Sequence, residues 1–210
     1  MSVLGVDLRA SNKKPSPVAI LDSDSRLTYL GHFYEDIELV KLVQREQPTL
    51  VAIGAPLNLP SGLCCLDQSC ECQFSFSDRK GRLLELELAK IGISCFYTNK
   101  GSIVSKLVYR GIRLNRELKS VGYNVIEVYP HATKTLLFGE NVPPKHSRTS
   151  VSYMIAHLTP LVSGMEQYDL DRNACDAIVN AYTGRLHYNC DTDVLGDKYK
   201  GELVLPKLCN

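Results

Sequence analysis

Residues 1–33, MSVLGVDLRASNKKPSPVAILDSDSRLTYLGHF, carry the reading that decides the fold. Val3 to Leu8 is a short apolar run with Asp7 near its end, and Val18 to Leu21 is a second. Between them Asn12 to Pro17, rich in Lys and Pro, reads as a turn, and the turn formers Asp22-Ser23-Asp24-Ser25 follow. Leu27 to Phe33 then alternates as a third strand. Three strands joined by short turns predict an antiparallel meander.

Outward from this meander the period changes. Glu35 to Gln47 places Ile37, Val40 and Val43 at helical spacing, and Pro48 closes the segment. Leu50-Val51-Ala52-Ile53 is continuously apolar, as a strand covered on both faces must be. A long cysteine-bearing loop at about 58–82 follows, then a helix from about Arg82 to Lys90 and a short strand from Ile93 to Tyr97. The spacing of Ile103, Leu107, Leu114, Leu118 and Val121 predicts a helix over 102–121. Asn124 to Tyr129 reads as a strand stopped by Pro130. Helices are expected over 147–161 and 172–186, then a tail with little periodicity. A meander leading into α/β units predicts a mixed sheet with helices on both faces, and no repeat or linker divides the 210 residues. The expectation is a single α/β domain spanning 1–210.

No run of about 18 apolar residues is present, so no membrane span is expected. The N-terminus lacks a basic region followed by a long apolar stretch, so it does not read as a signal peptide and the expected location is cytoplasmic. A net charge of +1 means that any contact with nucleic acid must come from local basic patches.

Two aspartates stand out. Asp7 is a poor strand former near the end of what should be a central strand. Asp176 lies in a helical segment where Asn173, Asp176, Asn180 and Thr183 share one narrow stripe, a set of short polar groups unlike a solvated Lys/Glu face. The ordinary alternatives are a turn aspartate and a dipole-favoured helix aspartate. Together they suit metal-dependent phosphoryl transfer, in which carboxylates gather one or two Mg²⁺ or Mn²⁺ ions against a phosphate. A first-strand Asp and a late-helix Asp are how a ribonuclease H-like sheet builds such a site.

The motifs Gly5-Val6-Asp7-Leu8-Arg9-Ala10-Ser11, Ile53-Gly54-Ala55-Pro56-Leu57-Asn58-Leu59-Pro60, Glu127-Val128-Tyr129-Pro130-His131-Ala132 and Asp176-Ala177-Ile178-Val179-Asn180-Ala181-Tyr182 resemble domain-of-unknown-function family 429. That family is described as predicted nucleases of ribonuclease H fold. The resemblance implies that Asp7 and Asp176 are the first and last carboxylates of a metal site, with Glu127 a candidate for a middle one. An outward-facing Glu127 on an edge strand is the alternative. The chain departs from the pattern at Gly54, where many relatives carry Asp. This leaves the site one ligand short, with Glu85 or Glu87 as candidate substitutes.

Cys64, Cys65, Cys70 and Cys72 put four thiols into nine residues. The spacing is not that of a standard zinc ribbon, and zinc, a disulfide pair or free thiols all remain open. The other four, Cys95, Cys175, Cys190 and Cys209, read as small core or surface residues. Basic candidates for phosphate contact are Arg79-Lys80-Gly81-Arg82, the helix face Lys106, Arg110 and Arg113, and His131 with Lys134. None of the five histidines has a metal-ligand spacing.

Three functions follow. The first is a metal-dependent nuclease or phosphodiesterase acting on nucleic acid. The second is a degenerate domain that binds nucleic acid or protein without cutting. The third is an actin-like-fold phosphotransferase, disfavoured because Leu8 to Lys14 contain no glycine-rich phosphate loop. Oligomeric state leaves no mark in the sequence.

Overall fold

In the computed structural model, which describes residues 1–74, 80–139 and 141–207, the meander forms as β1 (Val3–Val6), β2 (Ser16–Leu21) and β3 (Leu27–Phe33). Then come α1 (Asp36–Glu46), β4 (Leu50–Ile53), α2 (Leu83–Lys90), α3 (Ser105–Ser120) and β5 (Val125–Val128). The chain continues with α4 (Pro130–Phe138), α5 (Ser150–Leu158), α6 (Arg172–Tyr188), β6 (Thr192–Asp197) and β7 (Gly201–Pro206). One mixed sheet takes all seven strands in the order β3-β2-β1-β4-β5-β7-β6. Strands β1, β4, β5 and β7 run parallel, and β2, β3 and β6 are antiparallel to their neighbours. The expected ribonuclease H-like arrangement of meander plus parallel strands is present.

Helices cover both faces. Leu4, Val6 and Ile53 pack with Leu39 and Val43 of α1 and Leu114 and Leu118 of α3 on one face. Ala19 and Leu21 pack with Met154, Leu158, Ala177 and Ile178 of α5 and α6 on the other. The helix α6 lies unusually close to β1. A Cβ added to Gly5 would sit 2.2 Å from the backbone nitrogen of Ala181 and 2.4 Å from the carbonyl oxygen of Ala177. Glycine at 5 and alanines at 177 and 181 are what permit this backbone-on-backbone contact.

Several expectations are corrected or extended. Residues 93–97 form no strand: Phe96 is 68% exposed, and Thr98, just beyond, gives its backbone N–H and hydroxyl to Glu85 instead of to a ladder. The strand before Pro130 does stop short of it, at Val128, but Pro130 also opens a helix, α4, that was not expected, where its missing N–H costs nothing. The tail is a hairpin: β7 inserts beside β5 with Leu203, Val204 and Leu205 buried, leaving β6 as the edge. Glycines at 196 (φ 87°) and 201 (φ 106°) near its turn break the alternation that would have announced it. The stripe on α3 is also shorter than expected, since Ile103 and Val121 are exposed beyond its ends. Among the described residues no helix is long and apolar enough to cross a membrane.

Candidate active site

The parallel strands β1, β4 and β5 end on one edge of the sheet, and α6 packs against β1. Asp7 follows β1 directly and is 6% exposed; Asp176, in the first half of α6, is 3% exposed. The ammonium of Lys145 lies 3.4 Å from Asp7 Oδ2 and 2.5 Å from Asp176 Oδ2. Those two distances hold the carboxylate oxygens less than about 6 Å apart, close enough for both to reach one divalent ion. The buried Lys134 of α4 adds a contact of 2.8 Å to Asp176 Oδ1. Arg9 lies 3.7 Å from Asp7 Oδ2 and donates to Asn173 Oδ1 at 3.3 Å.

Burial and the neighbouring Asp176 carboxylate push Asp7 up to about 6, against the opposing pull of Lys145 and Arg9. Burial disfavours the charged form of Lys145, but Asp176 and Asp7 outweigh it and hold the ammonium above its ordinary value. Two buried carboxylates bridged by Lys145, with Lys134 and Arg9 beside them, are the kind of perturbed cluster that makes this a candidate functional site. A divalent cation fits this donor set. The oxygens are hard ligands, and a cation already lies between them on a side chain that is 31% exposed and reaches in from loop 141–149.

The polar stripe of α6 is used along its whole length. Asn173 meets Arg9, Asp176 meets the lysines, Asn180 Nδ2 donates to the Val6 carbonyl at 2.8 Å, and Thr183 meets Thr133 at 2.8 Å. Asn180 also explains Gly54. A Cβ at 54 would stand 2.4 Å from Asn180 Nδ2 and 3.2 Å from the Val6 oxygen, and Asn180 is fully buried. A carboxylate at 54 would therefore collide with Asn180. Gly54→Asp is expected to cost about 2 kcal/mol through overpacking. Asn180→Ala should recover part of that loss in the double variant, seen in urea unfolding as a coupling of opposite sign.

Glu127 does not join the aspartates. Val6, Ile53 and Glu127 are in register across β1, β4 and β5, so Glu127 shares the α1/α3 face while Asp7 and Asp176 meet on the other side. It is neither a metal-site carboxylate nor an outward edge residue. Glu127 is buried, accepts the Leu57 N–H at 2.8 Å and pairs with Arg82 at 2.7 Å. Burial raises Glu127 from its ordinary value and Arg82 opposes this. Glu85 is committed to Arg82 and Thr98, and Glu87 accepts the Gly196 N–H, so neither replaces the carboxylate missing at 54.

The basic candidates divide. Arg110 is no phosphate contact: it is buried, with donors committed to Asp36 Oδ1 at 2.7 Å and the carbonyls of Arg9 and Tyr34. Arg82 is likewise a core cation, Lys80 is exposed, and Arg79 lies outside the described residues. Lys106 is exposed, and Arg113 is exposed while pairing with Asp36 at 2.8 Å. His131 is exposed at the start of α4, lowered by partial burial and by Lys134. Lys134 is the one that reaches a site carboxylate, Asp176. Lys145 and Arg9 were not singled out by sequence.

In the cysteine loop the sulfur atoms of Cys64, Cys65, Cys70 and Cys72 all lie within 4.8 Å of one another, a group able to hold a metal ion. Cys175 is buried, Cys95 half-buried and Cys190 exposed, and Cys209 lies outside the described residues.

No family model and no curated protein matches this chain. Among solved structures it is similar to RuvC of Thermus thermophilus, with TM-score 0.52 and 11% identity over 90% of this chain and 97% of that one. T. thermophilus RuvC in complex with a Holliday junction substrate aligns with TM-score 0.47 and 15% identity, over 90% of this chain and 96% of that one. At such identity it is the architecture that is shared, and the chain has the ribonuclease H-like fold.

Proposed function

We propose that this protein is a divalent-metal-dependent phosphodiesterase acting on nucleic acid. The observation that carries the reading is the convergence of Asp7 and Asp176 on one cation, the Lys145 ammonium. Asp7 and Asp176 would hold Mg²⁺ or Mn²⁺ through their hard oxygens. When bound, the ion supplies Lewis acidity at the scissile phosphate and lowers the pKa of attacking water. Lys134, tied to Asp176, fixes the orientation of that carboxylate. Lys145 and Arg9 border the carboxylates with positive charge suited to a phosphate oxygen, and exposed Lys106 and Arg113 lie on the α3 face as candidate backbone contacts. We further propose that the chain is a divergent member of domain-of-unknown-function family 429. The four motifs fall at the ends of the parallel strands and on the helices beside them, with Asp7 after β1, Gly54 after β4, His131 on α4 and Asp176 on α6.

The test is incubation with Mn²⁺ or Mg²⁺ and single-stranded, duplex, hybrid and branched nucleic acids, beside a chelated control. Metal-dependent cleavage of at least one substrate is expected. One observation favours a second reading, binding without cutting: Lys134 and Lys145 already neutralise both carboxylates. Metal-independent, salt-sensitive binding with no product on any substrate would select that reading.

A further inference from the structure

Among the described residues, the segment from 54 to 82 contains no helix or strand. Loops of that length without structure of their own are uncommon and need something to hold them. The apolar support here is small: Leu63 and Leu66 bury against Val108, with a few half-buried neighbours. Polar support is a handful of hydrogen bonds, among them one from Lys100 to the Cys70 carbonyl. The Leu66 N–H donates to the Tyr109 hydroxyl at 2.6 Å, and the Gly101 N–H donates to the Leu66 carbonyl at 2.8 Å. Asp67 accepts both the backbone N–H and the hydroxyl of Ser69 at 2.9 Å. This tight turn carries the chain back so that Cys70 and Cys72 return to Cys64 and Cys65.

We infer that Cys64, Cys65, Cys70 and Cys72 form a structural zinc site that staples this loop, a conclusion that stands whether or not the protein cuts nucleic acid. Four sulfurs on a tetrahedron of Zn–S bonds near 2.3 Å are about 3.8 Å apart. Here all four lie within 4.8 Å of one another, and Cys64 Sγ is 3.6 Å from Cys70 Sγ. Two disulfides would instead gather the sulfurs into separate pairs near 2.05 Å. The thiolate set is soft, selecting zinc over the Mg²⁺ or Mn²⁺ suited to the aspartates. All four sites are filled by protein, the closed pattern of structural rather than catalytic zinc. Binding releases the thiol protons to solvent and ties the metal's binding energy to the folding of the loop. The loop's ends are what zinc would steady: Leu57 and Asn58 reach Glu127 and Arg82 from one side, and Arg82 closes the other.

The test uses the full chain, purified without a metal-affinity tag and without chelators, with metals measured by plasma mass spectrometry. One zinc per chain is expected, released by a thiol-specific mercurial. Cys64→Ser and Cys72→Ser should each retain almost none, while Cys190→Ser keeps the full equivalent. If the Ser variants do not fold, cobalt substitution of the parent decides, because four thiolates give intense tetrahedral visible bands and a sulfur-to-cobalt charge-transfer band. A zinc-free parent with free or disulfide-bonded thiols overturns the assignment. So do iron in place of zinc, full zinc retention in Cys64→Ser, or a weak octahedral cobalt spectrum.

Discussion

Asp7→Asn is expected to abolish metal-dependent cleavage, by at least about 10³-fold or about 4 kcal/mol of transition-state stabilisation, while making the protein harder to unfold. The two effects have one cause. Asp7 is pushed up to about 6 by burial and by Asp176, so the native state retains its proton to a higher pH than the unfolded chain, where the value is 3.8. Between those values the folded state binds more protons, and stability falls as pH rises through the window. The loss is half-way at about pH 6, complete roughly one unit above it, and amounts to no more than about 3 kcal/mol. Asparagine removes it. Urea unfolding of the parent should therefore show stability declining from pH 4 to pH 6.5, and Asp7→Asn should flatten that slope and gain about 1–2 kcal/mol at pH 7. Cleavage by the parent should rise across the same interval, because only the ionised carboxylate can serve as a ligand. A stable, fully active Asp7→Asn would remove Asp7 from the chemistry.

Arg82→Met should have the largest effect on stability. Arg82 is 3% exposed and lies between Glu85 and Glu127, 2.7 Å from each, with Asn58 at 3.0 Å. The two glutamates outweigh the burial that would otherwise disfavour its charge. Removing the guanidinium leaves two buried carboxylates without their cation, at a cost of about 3–5 kcal/mol. For a chain of this size that corresponds to a fall in Tm of roughly 10 °C. The triple variant Arg82→Met, Glu85→Gln, Glu127→Gln should regain much of the loss, because the amide oxygen at 127 can still accept from Leu57 and no buried charge remains. Calorimetry of the single and triple variants measures this. Cleavage per folded molecule should be unchanged in both, since Glu127 faces the side of the sheet opposite Asp7.

What the sequence disclosed, and what it hid, follows from the range of the interactions involved. The meander, β4 and α6 were legible because each obeys a period that its own residues display. Asp7 and Asp176 were legible because a short polar residue interrupting such a period needs a reason. Glu127 breaks its strand's pattern in the same way, yet its reason is Arg82, 45 residues earlier in the chain. No local pattern distinguishes a carboxylate awaiting metal from one answering a buried arginine. Lys145 was invisible because it acts from an irregular loop, reaching Asp7 across 138 positions. The β6–β7 hairpin was missed because its glycines and a half-exposed edge strand blur the alternation.

The contact of α6 with Gly5 bears on which ion this protein would choose. Asp7 stands two residues beyond Gly5, and Asp176 adjoins Ala177, whose carbonyl oxygen faces Gly5. The separation of the strand and helix that carry the two carboxylates is thus gauged by backbone resting on backbone. Ca²⁺ asks for longer bonds and more ligands in a pliant cage, whereas Mg²⁺ accepts a few well-placed oxygens and keeps its water. If the aspartates hold a metal as proposed, the hydrogen atom that stands in place of a methyl group at residue 5 would bear on the size of the ion they accept.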